Sequence, residues 1–191
     1  MKLALTAPLR AGKSEAAGYL ALYNDFHTFA FGAELKDAFH RAFPHIPRYP
    51  KPRKLYQEFG QAMRKILGED VWVNATMTKV NAYLARHTCD CGGGLTPMLK
   101  NQVLVEDCRQ PNEYSRLRAE GFTIVRITAP TELRIERARK AGDDFDLKAL
   151  DHSTELALQS FEVDYEITND GTVEQLYAKL DALMTVLGVG V

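Results

Sequence analysis

Short strand-like runs alternate with helical patterns along most of this chain, and this alternation narrows the choice of fold more than any other feature. The strand-like runs are apolar or rich in β-branched and aromatic residues: Lys2–Thr6, His27–Phe31, Val103–Glu106, Phe122–Thr128 and Val163–Thr168. The helical patterns cover Gly12–Tyr23, Ala33–Phe43, Lys54–Leu67, Val71–Arg86, Pro111–Ala119, Thr131–Lys140 and Val173–Leu187. This order predicts an α/β fold in which a mainly parallel sheet carries helices on both faces.

Residues 44–101 do not follow the alternation. They begin with a segment that holds four prolines, Pro44, Pro47, Pro50 and Pro52, and they end with a glycine-rich stretch around 92–94. Proline disfavours helix in the residue before it, so the first segment is predicted to be an extended loop. We therefore expect 44–101 to form a helical excursion within a single domain that spans residues 1–191, since 191 residues suit about one domain.

The charge balance and the apolar pattern exclude several classes of protein. The chain has 24 Lys and Arg against 25 Asp and Glu, so it carries no excess positive charge with which to bind nucleic acid. No stretch approaches the roughly 18 apolar residues of a membrane span, and the N-terminus does not resemble a signal peptide. Three cysteines (Cys89, Cys91 and Cys108) do not make a disulfide framework. We expect a cytoplasmic protein without a membrane or nucleic-acid partner.

The most specific local motif follows the first strand. Residues 7–14 read A-P-L-R-A-G-K-S and match the phosphate-loop pattern G-x-x-x-x-G-K-[ST] at its last three positions. Such a loop surrounds phosphate with backbone N–H groups, the lysine reaches the β- and γ-phosphates, and the hydroxyl residue ligates Mg²⁺. Ala7 replaces the first glycine, which is tolerable if its φ is negative. The expected ATP-binding residues are Arg10, Ala11, Gly12, Lys13, Ser14 and Glu15.

A second candidate site lies at the end of the strand predicted at Val103–Glu106. Asp107 and Arg109 follow this strand, and ligands of open α/β sheets bind at the carboxyl ends of the strands. An acidic residue there suits a Mg²⁺ shell or the orientation of a nucleophile in phosphoryl transfer. The alternative is that Asp107 caps the following helix while Arg109 forms a surface ion pair.

Several further segments carry a family resemblance when they are taken in order: Phe29–Lys36, Gln61–Arg64, Asp70–Asn74, Asp107–Glu113, Asp151–Glu155 and Asn169–Gly171. Together with the N-terminal loop they resemble the bacteriophage-type deoxynucleoside monophosphate kinases, within the P-loop nucleoside monophosphate kinase group. The resemblance implies a three-layer fold with a five-stranded parallel sheet. It also implies that 44–101 binds the acceptor and that a lid lies at about 138–151. Glu34 departs from the family pattern, which has proline there.

The resemblance also implies a reaction and a set of roles. ATP, with Mg²⁺, donates its γ-phosphoryl group to a (deoxy)nucleoside 5′-monophosphate. The expected catalytic residues are Lys13, Asp107, Arg109, Arg134 and Arg137, and the expected acceptor-binding residues are Lys36, Arg64, Trp72 and Arg109. Ser14 and Asp107 are expected to hold the metal ion, while Asn169 and Asp170 are expected to border the adenine.

Plainer alternatives exist for some of these residues. The sole tryptophan, Trp72, stacks on the acceptor base or closes the core, and core placement is the commoner use. Arg134, Arg137 and Arg139 close over phosphates or belong to an exposed, ion-paired helix. The cysteines at 89 and 91 have C-x-C spacing, which is a poor match to a structural zinc site.

Three other functions compete with the kinase prediction. They are another small-molecule P-loop kinase such as a dephospho-coenzyme A kinase, a non-catalytic nucleotide-binding protein, and a nucleic-acid-associated ATPase. The neutral charge balance argues against the last of them. The expected partners are therefore small-molecule nucleotides. The apolar residues Val186–Val191 suit docking on the core or on a partner subunit, so the chain is expected to be a monomer or a homodimer.

Overall fold

A five-stranded sheet organises the chain, of which the computed structural model describes residues 1–87, 101–141 and 158–189. The strands are β1 (Lys2–Thr6), β2 (His27–Phe29), β3 (Val103–Val105), β4 (Thr123–Thr128) and β5 (Tyr165–Thr168). Their order in the sheet is β2-β3-β1-β4-β5. β1 pairs in parallel with β3 and with β4, and β4 pairs in parallel with β5. The predicted parallel sheet is thereby confirmed.

The helices lie where the sequence patterns predict them, with ends displaced by at most two residues, and one residue of a predicted strand belongs to a helix. They are α1 (Lys13–Tyr23), α2 (Phe31–Ala42), α3 (Arg53–Leu67), α4 (Val71–His87), α5 (Pro111–Ala119), α6 (Thr131–Lys140) and α7 (Val173–Val186). That strand, predicted at His27–Phe31, ends at Phe29. Ala30 is the N-cap of α2, and Phe31 is buried as the first residue of that helix. A short aromatic run suits a strand or a buried helix start, and tertiary burial decided between them.

One face of the sheet packs against α1 and α7. Leu3 and Leu5 of β1 contribute to a core that also contains Leu20 of α1 and Leu180 and Met184 of α7, all fully buried. Alternate residues of a strand point to the same face, which is why every second residue of β1 enters this core. Val189, near the chain end, is buried in the same cluster, so this part of the apolar C-terminal segment docks on the chain's own core.

The chain divides into two compact units. The first comprises Met1–Thr28 and Lys100–Val191 and contains most of the sheet, whereas the second comprises Phe29–Leu99. The second unit begins earlier than the excursion predicted from residue 44, because α2 packs against both α3 and α4. Most of the predicted lid, the segment Asp151–Glu155, and Cys89 and Cys91 lie outside the described residues. Within the described residues, no helix is long and apolar enough to span a membrane.

Candidate active site

The loop between β1 and α1 contains two residues with positive φ. Gly12 has φ 103° and ψ 15°, a left-handed conformation that favours glycine. Arg10 also has positive φ, 62°, but Ala7 does not, and so the methyl group of Ala7 is accommodated as the sequence analysis required. A hydrogen bond from the Ala11 N–H to the Pro8 carbonyl, 3.2 Å long, closes the turn.

The loop leads directly into the N-terminus of α1. Lys13, Ser14 and Glu15 form the first turn of this helix, where backbone N–H groups have no carbonyl partner within the helix. These N–H groups and the helix dipole favour a bound anion. The carboxylate of Glu15 accepts a hydrogen bond from the Tyr177 hydroxyl, which raises the pKa of Tyr177 to about 12. Because the carboxylate of Glu15 is bonded to Tyr177 and is itself negative, the group of Glu15 that suits an anion is its backbone N–H.

Lys13 points from the loop to the end of β3. Its Nζ donates a hydrogen bond to the carbonyl oxygen of Glu106. Burial is the main cause that lowers the pKa of Lys13, and the nearby positive charge of Arg109 lowers it further, whereas Asp107 opposes the shift. The structure thus brings Lys13, Asp107 and Arg109 together, although they lie on different elements.

The segment that follows β3, here called the β3 exit, is held in place by a helix cap that the sequence analysis missed. A carboxylate oxygen of Glu113 accepts hydrogen bonds from the N–H groups of Arg109 (2.8 Å) and Gln110 (2.9 Å). Gln110 and Glu113 form a capping box on α5, and Asp107 takes no part in it. The alternative in which Asp107 caps this helix is therefore wrong. The pair Gln110 and Glu113, flanking Pro111, was the overlooked capping signal.

Two arginines of α6 are turned toward the loop. Arg134 is 8% exposed, and its Nε donates to the carbonyl of Leu9 at 2.7 Å. Arg137 Nη2 donates to Asn169 Oδ1 at 3.4 Å. By contrast, Arg139 is exposed. The alternative of an exposed, ion-paired helix does not describe Arg134, because its guanidinium is buried against the loop.

The residues after β5 behave differently from one another. Asn169 is 6% exposed, and its Nδ2 donates to the carbonyl of Ala11 at 2.9 Å. Asp170 is exposed and accepts a hydrogen bond of 3.0 Å from Lys179, which lowers the pKa of Asp170. Both residues are in the first unit, but the side chain of Asn169 donates to the loop, whereas that of Asp170 is paired with Lys179.

The remaining predicted site residues belong to the second unit. Lys36 on α2 and Arg64 on α3 are half-buried. Trp72 is 6% exposed, and its indole N–H donates to the Gly60 carbonyl at 3.4 Å. This burial agrees with the alternative in which Trp72 closes the core. Glu34 is also buried and pairs with Lys79 at 2.7 Å, which supplies the partner that a buried carboxylate needs.

A cavity of about 500 Å³ borders the first half of the loop. Its polar lining includes three residues that the sequence analysis did not select: Thr6, Arg126 and Glu166. Arg126 also donates to the carbonyl of Leu158 at 3.0 Å. The signal for Arg126 was present in the sequence, since it is a charged residue inside the otherwise apolar strand Thr123–Thr128.

The described residues offer few oxygen ligands for a metal ion. Among residues 1–87, 101–141 and 158–189, no group of three or more His, Cys, Asp or Glu side chains could hold a metal ion. Ser14 and Asp107 supply a hydroxyl and a carboxylate, which are ligand types that Mg²⁺ prefers when it keeps waters and phosphate oxygens as its other ligands. Cys108 is buried, and burial raises the pKa of its thiol.

A parallel sheet with the order 2-3-1-4-5 and a glycine-lysine-serine loop at the N-terminus of α1 defines a P-loop kinase fold. Solved structures agree. The crystal structure of TT1252 from Thermus thermophilus is 17% identical with a TM-score of 0.54, over 97% of this chain and 96% of that one. Shikimate kinase from Acinetobacter baumannii is 18% identical with a TM-score of 0.51, over 97% of this chain and 92% of that one.

Sequence comparison identifies the family to which the chain belongs. A model of the family described as Deoxynucleotide monophosphate kinase matches residues 53–180, and the chain belongs to this family. Deoxynucleotide monophosphate kinase of Enterobacteria phage T4 is 32% identical over 84 residues, which are 44% of this chain and 29% of the phage protein. The matched part thus spans less than a third of that relative's length.

Proposed function

We propose that this chain transfers the γ-phosphoryl group of ATP to a deoxynucleoside 5′-monophosphate and releases the diphosphate. The observation that carries the proposal is the convergence of Lys13, Asp107 and the α6 arginines around the loop at the start of α1. Family membership and the sequence resemblance support the choice of a nucleoside monophosphate as the acceptor. Phosphoryl transfer needs little covalent chemistry from the protein, so positioning and charge stabilisation account for most of the catalysis.

On the donor side, we assign phosphate binding to residues 10–15. Backbone N–H groups of the loop and of the first helical turn bind phosphate oxygens, and Lys13 exchanges its bond to the Glu106 carbonyl for one to phosphate. Arg134 and Arg137 lie beside the loop and stabilise the charge that develops on the transferring group. Asn169 and Asp170 are proposed to border the adenine, as the resemblance implies.

We propose that Ser14 and Asp107 hold Mg²⁺. The bound ion supplies positive charge that neutralises phosphate oxygens during transfer. The charge of Asp107 partly opposes the lowering of the Lys13 pKa, which means that the two groups are close. Asp107 therefore lies near the phosphate end of the loop. A carboxylate in this position also orients the incoming nucleophile.

On the acceptor side, the proposal rests on the resemblance. As the resemblance implies, Lys36 and Arg64 of the second unit are proposed to bind the phosphate of the monophosphate. Arg109, in the first unit, is proposed to contact phosphate. An arginine can hold phosphate through two parallel hydrogen bonds. Arg109 has its backbone N–H engaged by Glu113 and its side chain exposed, which leaves the guanidinium accessible to a ligand. For Trp72 the proposal is the core role and not base stacking, because the side chain is buried and its indole N–H donates to the Gly60 carbonyl.

The test is a panel of about a dozen acceptors with Mg·ATP, in which each phosphorylated product is separated and quantified directly. The panel holds the ribo- and deoxyribonucleoside monophosphates together with dephospho-coenzyme A. We expect product from one or more deoxynucleoside monophosphates and none from dephospho-coenzyme A. ATP hydrolysis without product in every reaction, or a product from dephospho-coenzyme A alone, would contradict the proposal.

We also propose the cellular setting that suits this reaction. Its substrates are small-molecule nucleotides, and it needs neither nucleic acid nor a membrane, so the protein acts in the cytoplasm as a monomer or a homodimer. The balance of 24 basic and 25 acidic residues supports this choice of partners. Size-exclusion chromatography with light scattering measures the oligomeric state, and an assembly larger than a dimer would overturn that part of the proposal.

A further inference from the structure

Asn169 contacts three parts of the structure around the phosphate loop, two through its side chain and one through its backbone. Its Nδ2 donates to the carbonyl of Ala11 at 2.9 Å, and its Oδ1 accepts from Arg137 Nη2 at 3.4 Å. Its backbone N–H donates to the carbonyl of Thr128, the last residue of β4, at 2.7 Å. Asn169 is 6% exposed, so its amide is buried among these partners.

Asn169 also lies in direct contact with the loop glycine. A Cβ added to Gly12 would stand 2.2 Å from Asn169 Nδ2, so the two residues fit only because Gly12 has no side chain. The peptide that joins Ala11 to Gly12 therefore has Asn169 against it on the side of the Ala11 carbonyl. In a trans peptide the N–H points opposite to the C=O. Holding the Ala11 carbonyl thus fixes the direction of the Gly12 N–H, one of the loop's phosphate donors.

We infer that Asn169 is a positioning residue, which fixes the Ala11–Gly12 peptide for triphosphate binding and holds the Arg137 guanidinium beside it. This inference rests on the proposed function, and it adds a role through the loop to the proposed position of Asn169 beside the adenine. A primary amide suits both tasks, because it offers a donor to the carbonyl and an acceptor to the guanidinium at once. Aspartate has no donor, and an aliphatic side chain has neither group.

The consequence is a specific kinetic pattern. Without the amide, the hydrogen bond to the Ala11 carbonyl is lost, and the flexible backbone at Gly12 is no longer held in one conformation. ATP binding must then order the loop, which costs binding free energy. The KM for ATP should rise, and kcat should fall because Arg137 loses its orientation. The KM for the acceptor should stay unchanged, since no contact of Asn169 involves the residues proposed to bind the acceptor.

The experiment compares Asn169→Leu with Asn24→Leu in the full chain. Leucine nearly matches the shape of asparagine, which preserves the packing against Gly12 while removing both hydrogen bonds. Asn24 is the matched control, because it is 2% exposed, belongs to the same unit and caps the other end of α1. We expect Asn169→Leu to raise the KM for ATP about fivefold, the value of a single hydrogen bond, and to leave the acceptor KM within about twofold. Asn24→Leu should change neither KM.

An unchanged KM for ATP in Asn169→Leu, or an equal rise in both KM values, would overturn the inference. If Asn169→Leu does not fold, Asn169→Ala, compared with Asn24→Ala, gives the same readout. Calorimetric titration with Mg·ATP and no acceptor separates this inference from the proposed function. If the unsubstituted chain binds ATP but phosphorylates no acceptor, the proposed function fails, and the ratio of ATP affinities still decides whether Asn169 positions the loop.

Discussion

At the scale of single residues, the Lys13 ammonium is bonded to a neutral carbonyl in a position where a phosphate could replace that carbonyl. Its Nζ is bonded to the Glu106 carbonyl and lies beside Asp107 and Arg109. Burial lowers the pKa of Lys13, so the ammonium is less stabilised here than in water. A phosphate group would restore that stabilisation, which makes the exchange of partners favourable.

We expect Lys13→Ala to lower phosphorylation of the best acceptor by about a hundredfold or more, because a charge that stabilises the transition state is removed. Its melting temperature should stay within a few degrees of the unsubstituted protein, since only one hydrogen bond is lost. Initial rates and thermal unfolding measure the two effects. Lys2→Ala is the matched control, because Lys2 also donates to a backbone carbonyl, that of Glu120, at 3.0 Å. Comparable rates for the two variants would contradict the assignment of Lys13.

At the scale of elements, the sequence patterns predicted strands β1–β5 and helices α1–α7 with ends displaced by at most two residues. The boundary between β2 and α2 is the one at which a residue predicted in a strand belongs to a helix. Alternation and helical periodicity are local properties, so they predict elements well. Phe31 entered the wrong element because an aromatic residue at a boundary suits either structure, and only its burial in the second unit distinguishes them. Thr172 and Gln175 form a capping box at the start of α7, with a hydrogen bond of 3.3 Å from the Gln175 N–H to Thr172 Oγ1.

Packing of α2 on α3 depends on Gly60. A Cβ added to Gly60 would lie 2.5 Å from Leu35 Cδ1. We expect Gly60→Ala to lower the free energy of unfolding by about 1 kcal/mol, because crowding outweighs the better helix propensity of alanine. In a Leu35→Ala background the same change should become stabilising. Chemical denaturation of the four proteins measures the coupling.

Gly18 on α1 is the control for this substitution. It is exposed, and nothing lies within 4 Å of the position its Cβ would take. Gly18→Ala should therefore stabilise the chain by about 1 kcal/mol through helix propensity alone. Equal effects of the two glycine substitutions would show that the contact between Gly60 and Leu35 is unimportant.

The start of edge strand β5 is tied to β4 and α5 through Asp164. Its Oδ2 accepts hydrogen bonds from Arg118 Nη1 at 2.6 Å and from the Ile124 N–H at 2.7 Å. Burial raises the pKa of Asp164, but these hydrogen bonds outweigh burial and hold the pKa below its ordinary value. Because the folded pKa is the lower one, the resulting stability is present above the unfolded-state pKa and is lost as pH falls through the folded-state pKa.

We therefore expect Asp164→Asn to lower the free energy of unfolding by about 1 kcal/mol at neutral pH, with the difference vanishing in acid. Urea unfolding over a pH series measures it. Asp37→Asn is the control, because Asp37 is half-exposed and its pair with Arg48 is 3.9 Å long. An exposed ion pair of this length contributes little to the free energy of unfolding. A difference that persists unchanged into acid would contradict the proposed origin of the effect.

At the scale of the whole molecule, ligand binding should be visible as stability. A ligand that binds only the folded chain stabilises it by about 2.7 kcal/mol at a concentration one hundred times its Kd. For a chain of this size that raises the melting temperature by about 5–10 °C. We expect this shift with Mg·ATP and a smaller one with Lys13→Ala, measured by calorimetry against Mg²⁺ alone. No shift at millimolar Mg·ATP would contradict nucleotide binding by the loop.

The sequence by itself determined the elements, the parallel sheet and the phosphate loop, because apolar periodicity and the Gly12-Lys13-Ser14 motif are readable over a few neighbouring residues. The strand order β2-β3-β1-β4-β5 became known only from the tertiary structure. So did the bond between Asn169 and Ala11, which are 158 residues apart in the chain, and the engagement of Glu113 at the β3 exit. Contacts between distant residues leave no periodic signal along the chain, since they arise from packing of whole elements.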